Sequence, residues 1–145
     1  MVDPSYDELL KQDHLKLRTN IQVLNQLNPH GGEILMTCKV VKICSRFNMR
    51  KNRNLILTNF MVYDFSNLKL KRSIQITDLI CITKVMHRGS SQFILHNRKE
   101  KKDYETECGK DYKLESMHID EIIGLISHNY KLINQHDLPI IEEIK

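Results

Sequence analysis

Apolar positions in the first part of the chain recur at helical spacing. Leu10, Leu17, Ile21, Leu24 and Leu27 lie three, four or seven residues apart, which predicts a helix from Pro4 to about Leu27 with one apolar stripe. Pro4 suits a first helical turn, Asp7 and Glu8 complement its positive end, and Asn28-Pro29 stops it. The stripe must be covered, either by the rest of the domain or by a partner. Leu10, Leu17, Ile21 and Leu24 are therefore candidate docking residues.

After the break at His30-Gly31-Gly32 the period changes to two. Ile34, Met36, Cys38, Val40 and Lys42 share one side of a strand running from Glu33 to about Ser45. Arg46 to Arg53 is polar and charged, and is expected to be a loop. Leu55–Thr58 and Met61–Tyr63 follow as two strand-like runs around a turn at Asn59, which predicts a hairpin presenting that basic loop. Further strands are expected at Leu70–Ile76, Leu79–Val85, Gln92–His96, Tyr104–Cys108 and Tyr112–Glu115. Ser116 suits an N-cap, with Asp120 and Glu121 close to the positive end of the helix dipole. Ile119, Ile122, Ile123, Ile126, Tyr130 and Ile133 form the apolar stripe of that helix. Asp137-Leu138-Pro139 closes it and leaves residues 140–145 as a peripheral tail. One helix, about seven short strands and a long final helix imply a sandwich or small barrel with the last helix over an open end or face.

Composition changes this picture in one place. The chain of 145 residues has a formal net charge of only +4, too small on its own to imply an anionic partner. The charge is concentrated, however. Lys39, Lys42, Arg46, Arg50, Lys51, Arg53, Lys69, Lys71 and Arg72 fall between positions 39 and 72, opposed there by Asp64. No apolar run approaches the roughly 18 residues of a membrane helix. The first residues lack the basic-then-apolar pattern of a secretory signal, Val2 does not suit myristoylation, and the last residues are no prenylation box. Cys38, Cys44, Cys81 and Cys108 are scattered, which favours reduced thiols and an expected cytoplasmic location.

The order of elements resembles the pleckstrin-homology-like superfold. That resemblance implies an α+β, mainly β fold: a seven-stranded antiparallel bent barrel capped by a C-terminal amphipathic helix, here with an extra N-terminal helix. Arg50 to Tyr63 (R-K-N-R-N-L-I-L-T-N-F-M-V-Y) is similar to the basic loop, second strand and third strand of such domains. In pattern it is similar above all to the lipid-binding tail homology domain of class I myosins. Lys71 to Ile82 resembles that family's fourth and fifth strands, Phe93–His96 its sixth, and Asp111–Ser116 with Asp120–Ile123 its seventh strand and capping helix. The implied division is a helical extension over residues 1–29, the barrel domain with its helix over 30–136, and a tail over 137–145.

Members of this superfold often bind phosphoinositide headgroups between the first two strands. The resemblance therefore implies an anion site from Lys42, Arg46, Arg50, Lys51 and Arg53, with Lys71 and Arg72 from the neighbouring side. Convergence of this kind suits phosphate, because Arg offers forked donors and Lys a point charge. The expected partners are anionic membrane lipid headgroups, with peripheral membrane association. The alternative is an adaptor or structural subunit docking onto proteins of a larger cytoskeletal or ciliary assembly.

Other chemistry is not expected. The histidines and cysteines lack paired spacing such as Cys-x-x-Cys, so neither a metal nor a cofactor is anticipated. His96, His118 and His128 are expected to be ordinary surface or half-buried residues. No phosphate-binding glycine loop, nucleophile elbow or kinase signature occurs, and Asp103, Glu105 and Glu107 suit a solvated strand face. Catalysis is not expected. Nucleic acid is disfavoured too, because Phe60, Tyr63 and Phe65 suit strand or core positions and leave few aromatics for bases to stack on.

Overall fold

The computed structural model describes residues 12–17, 19–27, 32–44, 49–86, 89, 91–97 and 111–144. In chain order the elements are β1 (Gln12–Asp13), α1 (Ile21–Leu27), β2 (Ile34–Cys44), β3 (Met49–Thr58), β4 (Met61–Ser66), β5 (Lys69–Gln75), β6 (Leu79–Met86), β7 (Gln92–Asn97), β8 (Tyr112–Glu115), α2 (Ile119–Asn134) and β9 (Ile140–Ile144). A single turn of 3-10 helix, Ile76–Asp78, links β5 to β6. The strands form one sheet in the order β5-β4-β3-β2-β8-β7-β6-β9, with β1 pairing to β2 off that path. From β5 through to β6 every pairing is antiparallel, while β1 and β9 join in parallel.

One face of this sheet closes over a single core. Val40, Leu55, Leu57, Val62, Ile74, Ile82, Phe93, Leu95 and Leu114 come from strands β2 through β8, and all belong to one buried cluster. Strands so far apart along the sheet can share a cluster only if the sheet curls around it. Ile122, Ile123, Leu125, Ile126 and Tyr130 of α2 complete that cluster. Leu125 is buried and Ile133 exposed, so the apolar face of α2 is rotated slightly from the expected stripe. Gly124 faces open space, which confines its cost to helix propensity.

A second cluster lies on the other face of the same strands. Ile56, Met61, Tyr63 and Phe65 of β3 and β4 are covered by Leu17, Val23 and Leu27. This is why Met61 to Phe65 is buried without alternation: a strand covered on both faces has no solvent side. Gln26 of α1 clamps the β4–β5 turn, donating to the Leu68 carbonyl (2.7 Å) and accepting from the Leu70 amide (2.8 Å). At the hairpin after β3, the hydroxyl of Thr58 accepts from the Phe60 and Met61 amides. Gly32, at φ +92°, passes so close to Thr58 and Asn59 that a Cβ there would lie 3.0–3.1 Å from their side chains.

Four expectations are corrected. Of the helix expected from Pro4 to Leu27, only Ile21–Leu27 is helical among the described residues, and the expected start at Pro4 lies outside them. Upstream the chain is extended and turned, because Asp13 accepts from the Leu17 amide and the Thr37 hydroxyl, and the His14 amide donates to the Thr37 carbonyl. Asn20 then caps the helix through the Val23 amide. The basic segment after position 48 is strand rather than loop, since the β2–β3 ladder runs on to Cys44↔Met49. The last residues are not peripheral: β9 extends the sheet beside β6, from Ile82↔Ile140 to Met86↔Ile144. The N-cap of α2 is His118, whose amide donates to Ser116 Oγ, while that hydroxyl donates to the Lys39 carbonyl. The strand expected at Tyr104–Cys108 lies outside the described residues.

Candidate anion-binding site

The strand geometry of β2 and β3 sorts the basic residues by face. Val40 is in the barrel core and pairs with Arg53, and Lys42 pairs with Lys51. Residues directly opposite one another share a face, and so do residues two apart. Lys42, Lys51 and Arg53 therefore point to the inner side of the barrel, beyond the apolar layer of Cys38, Val40, Leu55 and Leu57. On β4 and β5 the same rule carries Asp64 and Arg72, which pair with each other, inward from Val62 and Ile74. Tyr112 lies inward on β8, two residues before Leu114.

These side chains meet at one end of the barrel. The Arg53 guanidinium reaches Asp64, Nη1 to Oδ2 3.3 Å, and the two side chains are 9 % and 1 % exposed. Arg72 stacks over the Tyr112 ring, with Cζ 5.0 Å from its centroid, and Lys42 Nζ lies 5.8 Å from the same centroid. Tyr112 is held well above its ordinary pKa, first by burial and then by the charge of Asp64, with Arg53 and Arg72 opposing. Asp64 Oδ1 and the Tyr112 hydroxyl are both buried, and a hydrogen bond between the phenol and Asp64 adds to that upward shift. Lys42, Arg53 and Arg72 thus gather around one carboxylate and one phenol, with Lys51 on the same inner face opposite Lys42. Lys42 stands directly opposite Lys51 in the β2–β3 ladder, which places two positive charges side by side on the inner face.

Supporting contacts fix the frame. Thr83 Oγ1 lies 2.7 Å from His96 Nε2, and His96 Nδ1 lies 3.0 Å from Asp111 Oδ2. This chain of contacts secures the residue just before Tyr112. On the other side, the Gln26 clamp holds the start of the strand that carries Arg72.

The other expected basic residues are placed differently. Arg50 pairs across from Ile43 and forms an ion pair with Glu115, on the face of β3 opposite to Lys51. Lys71 is exposed, at the irregular stretch of the β4–β5 ladder. Arg46 lies outside the described residues. Of the candidate docking residues, Leu17 is buried in the second cluster and Leu24 packs against it. Ile21 is 74 % exposed, and Leu10 lies outside the described residues. Sequence reasoning passed over Tyr112 and treated Asp64 only as an opposing charge. A signal for both was present, since each stands two residues from an apolar inward position, Val62 or Leu114.

Comparison with solved structures shows the same architecture. The pleckstrin homology domain of human KIAA0053 protein matches with a TM-score of 0.55 at 12% identity, over 69% of this chain and 90% of that one. The C-terminal PH domain of pleckstrin in complex with D-myo-Ins(1,2,3,5,6)P5 matches at 0.54 and 16% identity, over 69% and 98%. The Slm1-PH domain in complex with inositol-4-phosphate matches at 0.51 and 10% identity, over 68% and 95%. The fold is pleckstrin-homology-like. No protein-family model matches the chain, and no curated protein matches it in sequence. In this pleckstrin-homology-like fold, Lys42, Lys51, Arg53, Asp64, Arg72 and Tyr112 gather at the end of the barrel where β2 leads toward β3.

Proposed function

We propose that this chain is a non-catalytic binding module that takes inositol phosphate headgroups at the barrel mouth and so associates with phosphoinositide-bearing membranes from the cytoplasmic side. The convergence of Lys42, Arg53 and Arg72 around Tyr112, with Lys51 on the same inner face, carries the proposal. Phosphate oxygens suit the Lys and Arg donors. An inositol ring also brings hydroxyls, which can hydrogen-bond to the Tyr112 phenol beside the cations. Two structures of the same fold carry inositol phosphates, which supports the ligand class. The resemblance of Arg50–Tyr63 and Lys71–Ile82 to the tail homology domain of class I myosins is in keeping with membrane recruitment.

Co-sedimentation with phosphatidylcholine vesicles, with phosphatidylserine or phosphoinositide added, tests the proposal. The expected result is phosphoinositide-selective binding that survives physiological salt, because a partly buried site is screened less than a surface patch. Equal binding to both anionic lipids that vanishes with salt would mean a basic surface only and would overturn the pocket.

A further inference from the structure

Further along β2 from Lys42, where β1 pairs with Met36 and Thr37, side chains from the two ends of the chain converge. His14 follows β1, His118 caps α2, and Glu121 stands in the first turn of α2. His14 Nε2 is 3.3 Å from Glu121 Oε2, and His118 Nδ1 is 3.5 Å from the same oxygen. The three donor atoms all lie within 4.8 Å of one another. The two imidazoles lie nearly parallel, with centroids 4.2 Å apart.

We propose that His14, His118 and Glu121 form a three-ligand site for a divalent transition metal of the zinc class, with its remaining position open to water. The spacing carries the argument. Charge-assisted N–H···O hydrogen bonds run at about 2.7–2.9 Å, shorter than either contact here. Ligands held about 2.0–2.1 Å from a tetrahedral zinc stand about 3.3–3.4 Å from one another; the two contacts to Glu121, at 3.3 and 3.5 Å, match that edge, and the imidazole nitrogens, within 4.8 Å, close the third when the stacked rings turn toward a shared ion. Two imidazoles and one carboxylate are a zinc donor set. Calcium and magnesium take oxygen ligands almost throughout.

The frame is set independently of the three side chains. The His14 amide donates to the Thr37 carbonyl (3.0 Å), and the next amide, of Leu15, donates to Thr37 Oγ1 (2.9 Å). The His118 amide is held by Ser116 Oγ (3.1 Å), which is itself tied to Lys39 on β2. The backbones of both histidines are thus positioned by β2 before any metal arrives. A metal there clips the segment before α1 to the capping helix. His14 and Glu121 are 107 residues apart in sequence, so no local spacing motif could reveal the cluster. The metal site shares no residue with the barrel mouth and does not depend on its function.

The test is titration of the full chain with Co2+ and then Zn2+, followed by calorimetry, visible absorption and thermal unfolding. One equivalent should bind, Co2+ should show the intense absorption of a tetrahedral site, Zn2+ should displace it, and the melting temperature should rise with metal. His14→Asn, His118→Asn and Glu121→Gln should each weaken binding at least tenfold, with the far-ultraviolet circular dichroism unchanged. His128→Asn and His136→Asn, at exposed positions, should leave it intact. Absence of saturable binding at one equivalent would overturn the proposal. So would full affinity in the His14→Asn/His118→Asn double variant.

Discussion

Arg53 on β3 and Asp64 on β4 form an ion pair inside the barrel mouth, Nη1 to Oδ2 3.3 Å, with neither side chain more than 9 % exposed. Burying two charges gives back little net stability while both are present, but losing one partner leaves the other uncompensated. Asp64→Asn should therefore destabilise the chain by about 3–5 kcal/mol, measured by urea unfolding. It also removes the negative charge that stands among the described inward cations. A soluble inositol polyphosphate should therefore raise the urea midpoint of the variant more than that of the wild type. An equal shift in both proteins would place the ligand elsewhere.

Face decides which basic residues matter. Lys42→Gln with Arg72→Gln removes two inward cations, whereas Arg50→Gln with Lys71→Gln removes two outward or exposed ones. A hydrogen bond to a charged group contributes about 1.5–3 kcal/mol, so each inward loss should weaken inositol phosphate binding roughly 10- to 100-fold. The outward pair, worth about 0–1 kcal/mol each at the surface, should change it only slightly. Calorimetry on the two double variants separates a pocket from a diffuse basic surface, for which both would lose alike.

The short helix α1 is covered by its own domain, and its residues should sort accordingly. Val23 is fully buried against β3 and β4, and Val23→Ala should cost about 1–3 kcal/mol. Ile21→Asp, on the exposed side, should stay within about 0.5 kcal/mol of wild type. If Ile21→Asp instead lowered the unfolding midpoint as much as Val23→Ala, the observed packing of α1 would be wrong.

Two buried phenols set an alkaline limit. Burial pushes Tyr63 from 10.0 up to about 12, and burial with the Asp64 charge holds Tyr112 well above its ordinary value. Both folded pKa values lie above the unfolded ones, so the unfolded chain releases these protons first. The stability linked to them is complete below about pH 10 and is lost as pH rises toward 12 and beyond. Urea midpoints should fall steeply across that window, and Tyr63→Phe should flatten the fall. A flat profile from pH 9 to 12 would contradict the burial of both rings.

What the sequence determined by itself was the alternation of period two, the hairpin turn at Asn59-Phe60, the amphipathic final helix and the concentration of positive charge. Each depends on neighbours a few residues apart, where spacing alone fixes the face. Tertiary structure decided the rest. The polar run from Met49 to Arg53 carries no strand signal of its own, and becomes strand because β2 supplies a ladder partner for each residue. That pairing sends Lys51 and Arg53 inward and Arg50 outward, which no count of charges could reveal. Tyr112 and Asp64 joined the site only when the sheet curled, and His14 met Glu121 only when the chain's two ends packed beside β2. Contacts between residues distant in sequence come from how strands are ordered in the sheet, and that order is set by the shared core rather than by any one segment.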